Sequence, residues 1–166
     1  YKNYGFRLLF TRPISKVTVY SSKMVFLLEI NFISFLIGYL TFLLSGFALD
    51  KLLPGYEFSS YNVNNLIASY FSYLFIALSA VSFIQYYLSL IFKSFVLPIG
   101  FASLMTIFGI IAQNKDYIYL IPYSTVWRLN YCFYSGIINF SKGEYVNIAY
   151  VLFFVVISFF VFIRKK

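Results

Sequence analysis

The chain has no histidine, one cysteine and only five acidic residues in 166. The missing histidine excludes imidazole general-base catalysis, imidazole metal ligation and His-based pH sensing. Cys132, being alone, excludes an intrachain disulfide. Charged residues make up 11% of the chain, against about 25% in an ordinary soluble domain. No P-loop, zinc motif or nucleophile–base pair is present, so no catalytic residue and no metal site is expected.

What is present is apolar. Hydrophobic residues make up 61% and aromatic residues 24%, with 22 Phe and 17 Tyr. A core of this size cannot hide so much apolar surface, so lipid must be the solvent. Phe suits lipid-facing helix surface and Tyr suits the headgroup interface. The fold class expected is an all-α polytopic membrane protein. About 20 residues cross a 30 Å hydrocarbon core, and four apolar runs are long enough. They cover 24–48, 64–92, 95–112 and 146–163. The junction around Lys93-Ser94 is short, so the second and third spans should form a tight hairpin. Pro98 falls in the first turn of the third span, where its missing N–H costs little. The fourth span, almost without small residues, should lie at the periphery against lipid.

The net charge of +8 has a positional cause. Lys2, Arg7, Arg12, Lys16, Lys23, Lys93, Arg164, Lys165 and Lys166 fall on one side of the spans with no acid among them. Lys51, Lys115, Arg128 and Lys142 fall on the other, offset by Asp50, Glu57, Asp116 and Glu144. The positive-inside rule places the first side in the cytoplasm. No basic face with base-stacking spacing lies outside the spans, so nucleic acid is not an expected partner. Membrane lipid is.

Small residues form stripes. Ser34, Gly38, Thr41 and Ser45 recur at i, i+4, i+7 and i+11, one face of a helix. Ala102, Thr106, Gly109 and Gln113 repeat the device in the third span, and Ser72, Ser79, Ser82 and Ser89 form a looser seam in the second. Such stripes let membrane helices approach closely, or they line a substrate path. Glu29 is the one ionisable residue inside a span. It lies about 9 Å along the helix from Lys23. Intramembrane acids mark function; a salt bridge to Lys16, Lys93 or a residue of an N-terminal part preceding Tyr1 is the bland alternative. Residues 113–145 carry Tyr117, Tyr119, Tyr123, Trp127, Tyr131, Phe133 and Tyr134, too aromatic for water and too polar to cross. They are expected to dip into or lie along the outer interface as two short helices broken at Pro122, at a pathway mouth or as an interfacial loop that only anchors.

The basic segment Thr11-Arg12-Pro13-Ile14-Ser15-Lys16, followed by Lys23 at the start of a span, resembles the segment between the second and third membrane helices of ABC-2 type ABC transporter permeases. The short-turned hairpin, the outer segment with Ile121-Pro122-Tyr123-Ser124 and the last apolar helix with its basic tail continue the likeness. The resemblance implies four helices of a six-helix subunit, with an N-terminal part preceding Tyr1. It implies a coupling helix around Leu8–Lys16 seated on a separate P-loop ATPase subunit. It also implies a second permease subunit, forming a homo- or heterodimer in a bacterial cytoplasmic membrane. Arg12 and Lys16 would contact the ATPase, and Pro13 would fix the turn. Lys at position 16 keeps the charge but not the bidentate geometry of the Arg common there. No cofactor would sit on this chain; ATP and Mg would belong to the partner. The expected function is export of an amphipathic peptide, lipid-like or drug-like substrate. Peptide-antibiotic immunity is one possible setting. The alternatives are a non-transporting scaffold that passes ATPase motion to an external partner, and a membrane-embedded enzyme seeded at Glu29.

Overall fold

A computed structural model describes residues 15–53, 64–112, 115–135 and 142–164. Five α-helices lie within them: α1 (Lys16–Leu52), α2 (Asn64–Ile91), α3 (Val96–Ile111), α4 (Thr125–Tyr134) and α5 (Lys142–Arg164). Two 3₁₀ turns, Asp116–Leu120 and Pro122–Ser124, precede α4. No strand occurs among the described residues. The protein is an all-α polytopic membrane protein. Helices α1, α2 and α5 are long and apolar enough to span, and α3 is a shorter apolar helix of 16 residues.

Helix α1 starts eight residues before the predicted span. Ser15 is its N-cap: Ser15 Oγ accepts from the Thr18 N–H at 3.1 Å, satisfying one orphan donor of the first turn. The basic stretch Lys16–Lys23 is therefore the lower end of a continuous helix, not a separate element. At 37 residues, α1 is about 55 Å long. It exceeds the roughly 30 Å of hydrocarbon and must tilt or project. Helix α5 carries Glu144 in its first turn and Arg164 in its last, the signs that complement the helix dipole.

Helix α2 is the centre. It touches α1, α3, α4 and α5, and its Ile67, Ala77, Ala80 and Phe83 are almost fully buried. Its heaviest partner is α5. The last span is therefore packed along one face rather than peripheral all round: the small residues Gly143 and Ser158, with Asn147, give close approach at the few buried points, while Leu152, Phe153, Val156 and Phe160 stay exposed as expected of a lipid-facing helix. At the end bearing Lys16 and Arg164, a core forms from Tyr20, Met24, Phe83, Leu90 and Phe162. Tyr20 OH donates to the Val155 carbonyl at 2.7 Å and shares a hydrogen bond with Ser158 Oγ at 2.8 Å. Its ring meets Phe159 edge-on at 5.3 Å. Lys16 Nζ donates to the Ile163 carbonyl at 3.1 Å. These bonds tie the first two turns of α1 to the last turns of α5.

Farther along, Phe35, Tyr39 and Phe42 of α1 pack edge-on against Phe71 of α2. Gly38 admits this contact, since a Cβ there would lie 3.2 Å from the Phe71 ring. Most of α1 faces outward, with only Tyr20, Met24 and Gly46 buried. The turn joining α2 to α3 is as short as expected, and Pro98 is buried in the first turn of α3. Yet α3 packs more closely on the 3₁₀ turn Pro122–Ser124 than on α2.

Candidate functional site

The segment before α4 enters the bundle rather than lying over it. Pro122 opens the second 3₁₀ turn, and Pro122, Tyr123 and Ser124 are all buried. Pro suits a first helical position because its absent N–H has no partner to lose there. Ser124 Oγ closes the turn by donating to the carbonyls of Ile118 and Ile121 at 2.9 and 2.7 Å. Gly109 of α3 lies against this turn. A Cβ at that position would stand 2.9 Å from Ser124 Cβ and 3.2 Å from Ser124 Cα, closer than real atoms come. Glycine at 109 is thus what lets the turn descend beside α3. At the tip, Tyr123 OH accepts from Gln85 Nε2 at 2.7 Å. Gln85 stands about 32 Å along α2 from Asn64. A tyrosine on a connecting segment therefore reaches the far half of a spanning helix.

The descent is held by one face of α5. Glu144, Asn147 and Tyr150, spaced three apart, meet successive parts of the segment. Glu144 forms a salt bridge with Arg128 of α4; its side chain is 0% exposed and that of Arg128 17%. Gly143 makes room for the guanidinium, since a Cβ there would fall 2.6 Å from Arg128 Nη2. Asn147 Nδ2 donates to Thr125 Oγ1 at 3.2 Å. Tyr150 OH donates to the Leu120 carbonyl at 3.2 Å. Higher up, Tyr70 OH donates to Asn130 Oδ1 at 2.6 Å, fixing α4 to α2. The rings of Tyr87 and Phe154, 5.2 Å apart, set the level of α5 against α2. By helix rise, Glu144 then lies about 20 Å below the Asn64 end of α2. The buried charge pair is tolerated because each charge has its partner.

Below Tyr123, a groove of about 350 Å³ opens between α1 and α2, lined by Leu27, Ile30, Asn31, Ser82, Gln85, Tyr86 and Ser89. Ser82 Oγ donates to Asn31 Oδ1 at 3.1 Å. Asn31 Nδ2, Tyr86 OH and the nearby Ser79 Oγ are buried without a hydrogen-bond partner among the described residues. Gln85 belongs both to the groove and to the re-entrant tip. Polar groups therefore run from Arg128–Glu144 through Thr125–Asn147 and Tyr123–Gln85 to Asn31–Ser82.

The predicted site residues fall unevenly on this arrangement. Thr11, Arg12, Pro13, Ile14 and Gln113 lie outside the described residues. Ser15 caps α1, and Lys16 bonds to Ile163. Ser34, Thr41 and Ser45 are exposed on α1, and only Gly38 of that stripe faces α2. Ala102 and Thr106 are half-buried, and Gly109 is buried against Ser124. Ser82 and Ser89 of the looser seam line the groove. Glu29 is exposed, with no ion-pair partner among the described residues; neither Lys16 nor Lys93 pairs with it. Trp127 stands 45% exposed, one residue before Arg128. Arg128 and Glu144 read from sequence as balancing loop charges, and the structure buries them as a pair. The three-residue spacing of Glu144, Asn147 and Tyr150 was the signal that could have found this face. Among the described residues no acid or cysteine cluster could hold a metal ion.

A family model described as ABC-2 family transporter protein matches residues 1–109. The chain belongs to this family. It is a membrane component of an ABC transporter, a permease and not a catalytic subunit by family. The match covers α1, α2 and most of α3; the re-entrant segment and α5 lie beyond it. No curated protein and no solved structure matches the chain.

Proposed function

We propose that this permease exports an amphipathic peptide, lipid-like or drug-like molecule across a bacterial cytoplasmic membrane, driven by a separate P-loop ATPase. The observation that carries the reading is the polar run inside the helix bundle, in which Tyr123 of the segment before α4 meets Gln85 of the groove at 2.7 Å. Polar groups at membrane depth are costly and mark a pathway, and backbone that is not part of a spanning helix is tolerated there only where protein or water surrounds it. The ATPase would seat on the coupling segment around Leu8–Lys16 through Thr11, Arg12, Pro13 and Ile14, and would hold the ATP and Mg. A push there would enter α1 at Lys16. Through Tyr20–Ser158 and Lys16–Ile163 it would reach α5, and through Glu144, Asn147 and Tyr150 the re-entrant segment. The exposed face of α1 with Ser34, Thr41 and Ser45 is available to a second permease subunit.

The test is co-purification of the full-length protein with a P-loop ATPase in mild detergent. Arg12→Glu is expected to abolish it. Lys16→Glu is run separately, because Lys16 also ties α1 to α5. A permease that purifies alone and folded, with Arg12→Glu indistinguishable, removes the ATP-driven reading.

A further inference from the structure

We infer that the groove between α1 and α2 is a binding site for an uncharged amphiphile that carries a hydrogen-bond acceptor and a hydroxyl group. The inference rests on the permease reading above only for the claim that such a molecule is cargo; the site itself stands on its own geometry. Four observations carry it.

The first is hydrogen-bond accounting. Asn31 Oδ1 is used by Ser82, and Gln85 Nε2 by Tyr123. Asn31 Nδ2 of the α1 wall and Tyr86 OH of the α2 wall are buried and left without partners among the described residues. An unpartnered donor in a membrane interior is destabilising, since no water competes to satisfy it. A ligand acceptor that displaced the apolar contacts covering Asn31 Nδ2, and a hydroxyl that met Tyr86 OH, would remove both deficits. The second is charge. Among the described residues no Lys, Arg, Asp or Glu lines the groove, so a cationic or anionic group seated in it would be unpaired at a large desolvation cost. The third is place. Ser89 stands about 3 Å and Ser82 about 14 Å along α2 from its Ile91 end. The groove thus lies in the half of α2 nearest Lys93. Beside it on α1, Phe26 and Ile33 are 63% and 54% exposed, with the exposed Glu29 between them on the same helix face, so a molecule dissolved in the bilayer reaches the groove sideways. The fourth is size. A volume of 350 Å³ is at the small end of ligand sites, which run from about 300 to 1,000 Å³. It holds a small polar head and part of one chain, not a folded peptide.

The probe is a monoacylglycerol with a photoactivatable diazirine in its acyl chain, added to the purified protein in phosphatidylcholine nanodiscs. Mass spectrometry maps the adducts. They are expected on Leu27–Asn31 and Ser82–Ser89, competed by excess unlabelled monoacylglycerol but not by hexadecane or lysophosphatidylglycerol. Loss of one hydrogen bond should lower labelling about five-fold, in Asn31→Leu and again in Tyr86→Phe, which keeps the ring and removes one oxygen. Adducts spread evenly over exposed apolar positions such as Leu104 and Ile107 overturn the site. So does unchanged labelling in the folded Tyr86→Phe variant. Equal competition by hexadecane reduces the groove to an apolar crevice, and equal competition by lysophosphatidylglycerol overturns the uncharged class. Labelling needs no ATPase. Site-specific labelling in a protein that captures no ATPase would keep the site and sink the ATP-driven export reading; ATPase capture without such labelling would do the reverse.

Discussion

Glu144 is the sharpest place to perturb the molecule. Its carboxylate is fully buried and meets Arg128, whose side chain is 17% exposed. Deleting one partner of a buried pair strands the other charge and costs about 3–5 kcal/mol. Arg128 can recover some water through its exposed fraction, so Glu144→Ala should fall at the low end, about 3 kcal/mol. That corresponds to roughly a 150-fold shift in the equilibrium between docked and undocked segment. The readout is built in. Trp127 is the sole tryptophan and adjoins Arg128. In nanodiscs, Glu144→Ala should raise quenching of Trp127 by an aqueous quencher and lower the denaturant midpoint followed by its emission. The double variant Arg128→Met, Glu144→Leu removes both charges. It should return to within about 1 kcal/mol of the parent, because the penalty lies in the stranded charge rather than in the missing attraction. The reasoning is refuted if Glu144→Ala is silent, or if the double variant loses the sum of the two single losses, which would mean no coupling between them.

Three further outcomes follow from other contacts. Gly109→Ala places a methyl 2.9 Å from Ser124 Cβ and should destabilise by about 1–3 kcal/mol through overpacking. Gly100→Ala, with nothing within 4 Å, should be neutral or stabilise by about 0.5–1 kcal/mol; thermal unfolding of the pair in one detergent compares them. Tyr20→Phe removes the bonds to Val155 and Ser158 and should cost about 1 kcal/mol, since both former partners keep other bonds. Hydrogen exchange should then rise in the first turns of α1 and the last turns of α5 together. Gln85→Leu strips Tyr123 OH of its donor and should loosen the re-entrant tip by about 1 kcal/mol. A cysteine placed at 121 in that variant should react faster with a soluble maleimide, and an unchanged rate would place the tip elsewhere.

The sequence by itself determined the solvent, the all-α class and the polytopic character. These depend on counts and on run lengths, 61% hydrophobic and 11% charged, which no tertiary contact can alter. It also marked the aromatic segment with Pro122 as one that dips into or lies along an interface, because that composition suits neither water nor a full span; only the structure packs Pro122–Ser124 among the helices. The tertiary structure alone decided which helix is central and which charges are buried. Arg128 and Glu144 look like solvated loop charges in one dimension, since a count along the chain cannot see that α4 and α5 fold back on each other. The last span reads as lipid-facing because it has almost no small residues, and its few polar ones are sparse. Their spacing puts Glu144, Asn147 and Tyr150 on one face, and only the descent of the segment before α4 gives that face something to hold. Asn31 carries no signal in the sequence. It becomes part of a site because Ser82, Gln85 and Tyr86, some fifty residues away, are brought opposite it by the crossing of α1 and α2.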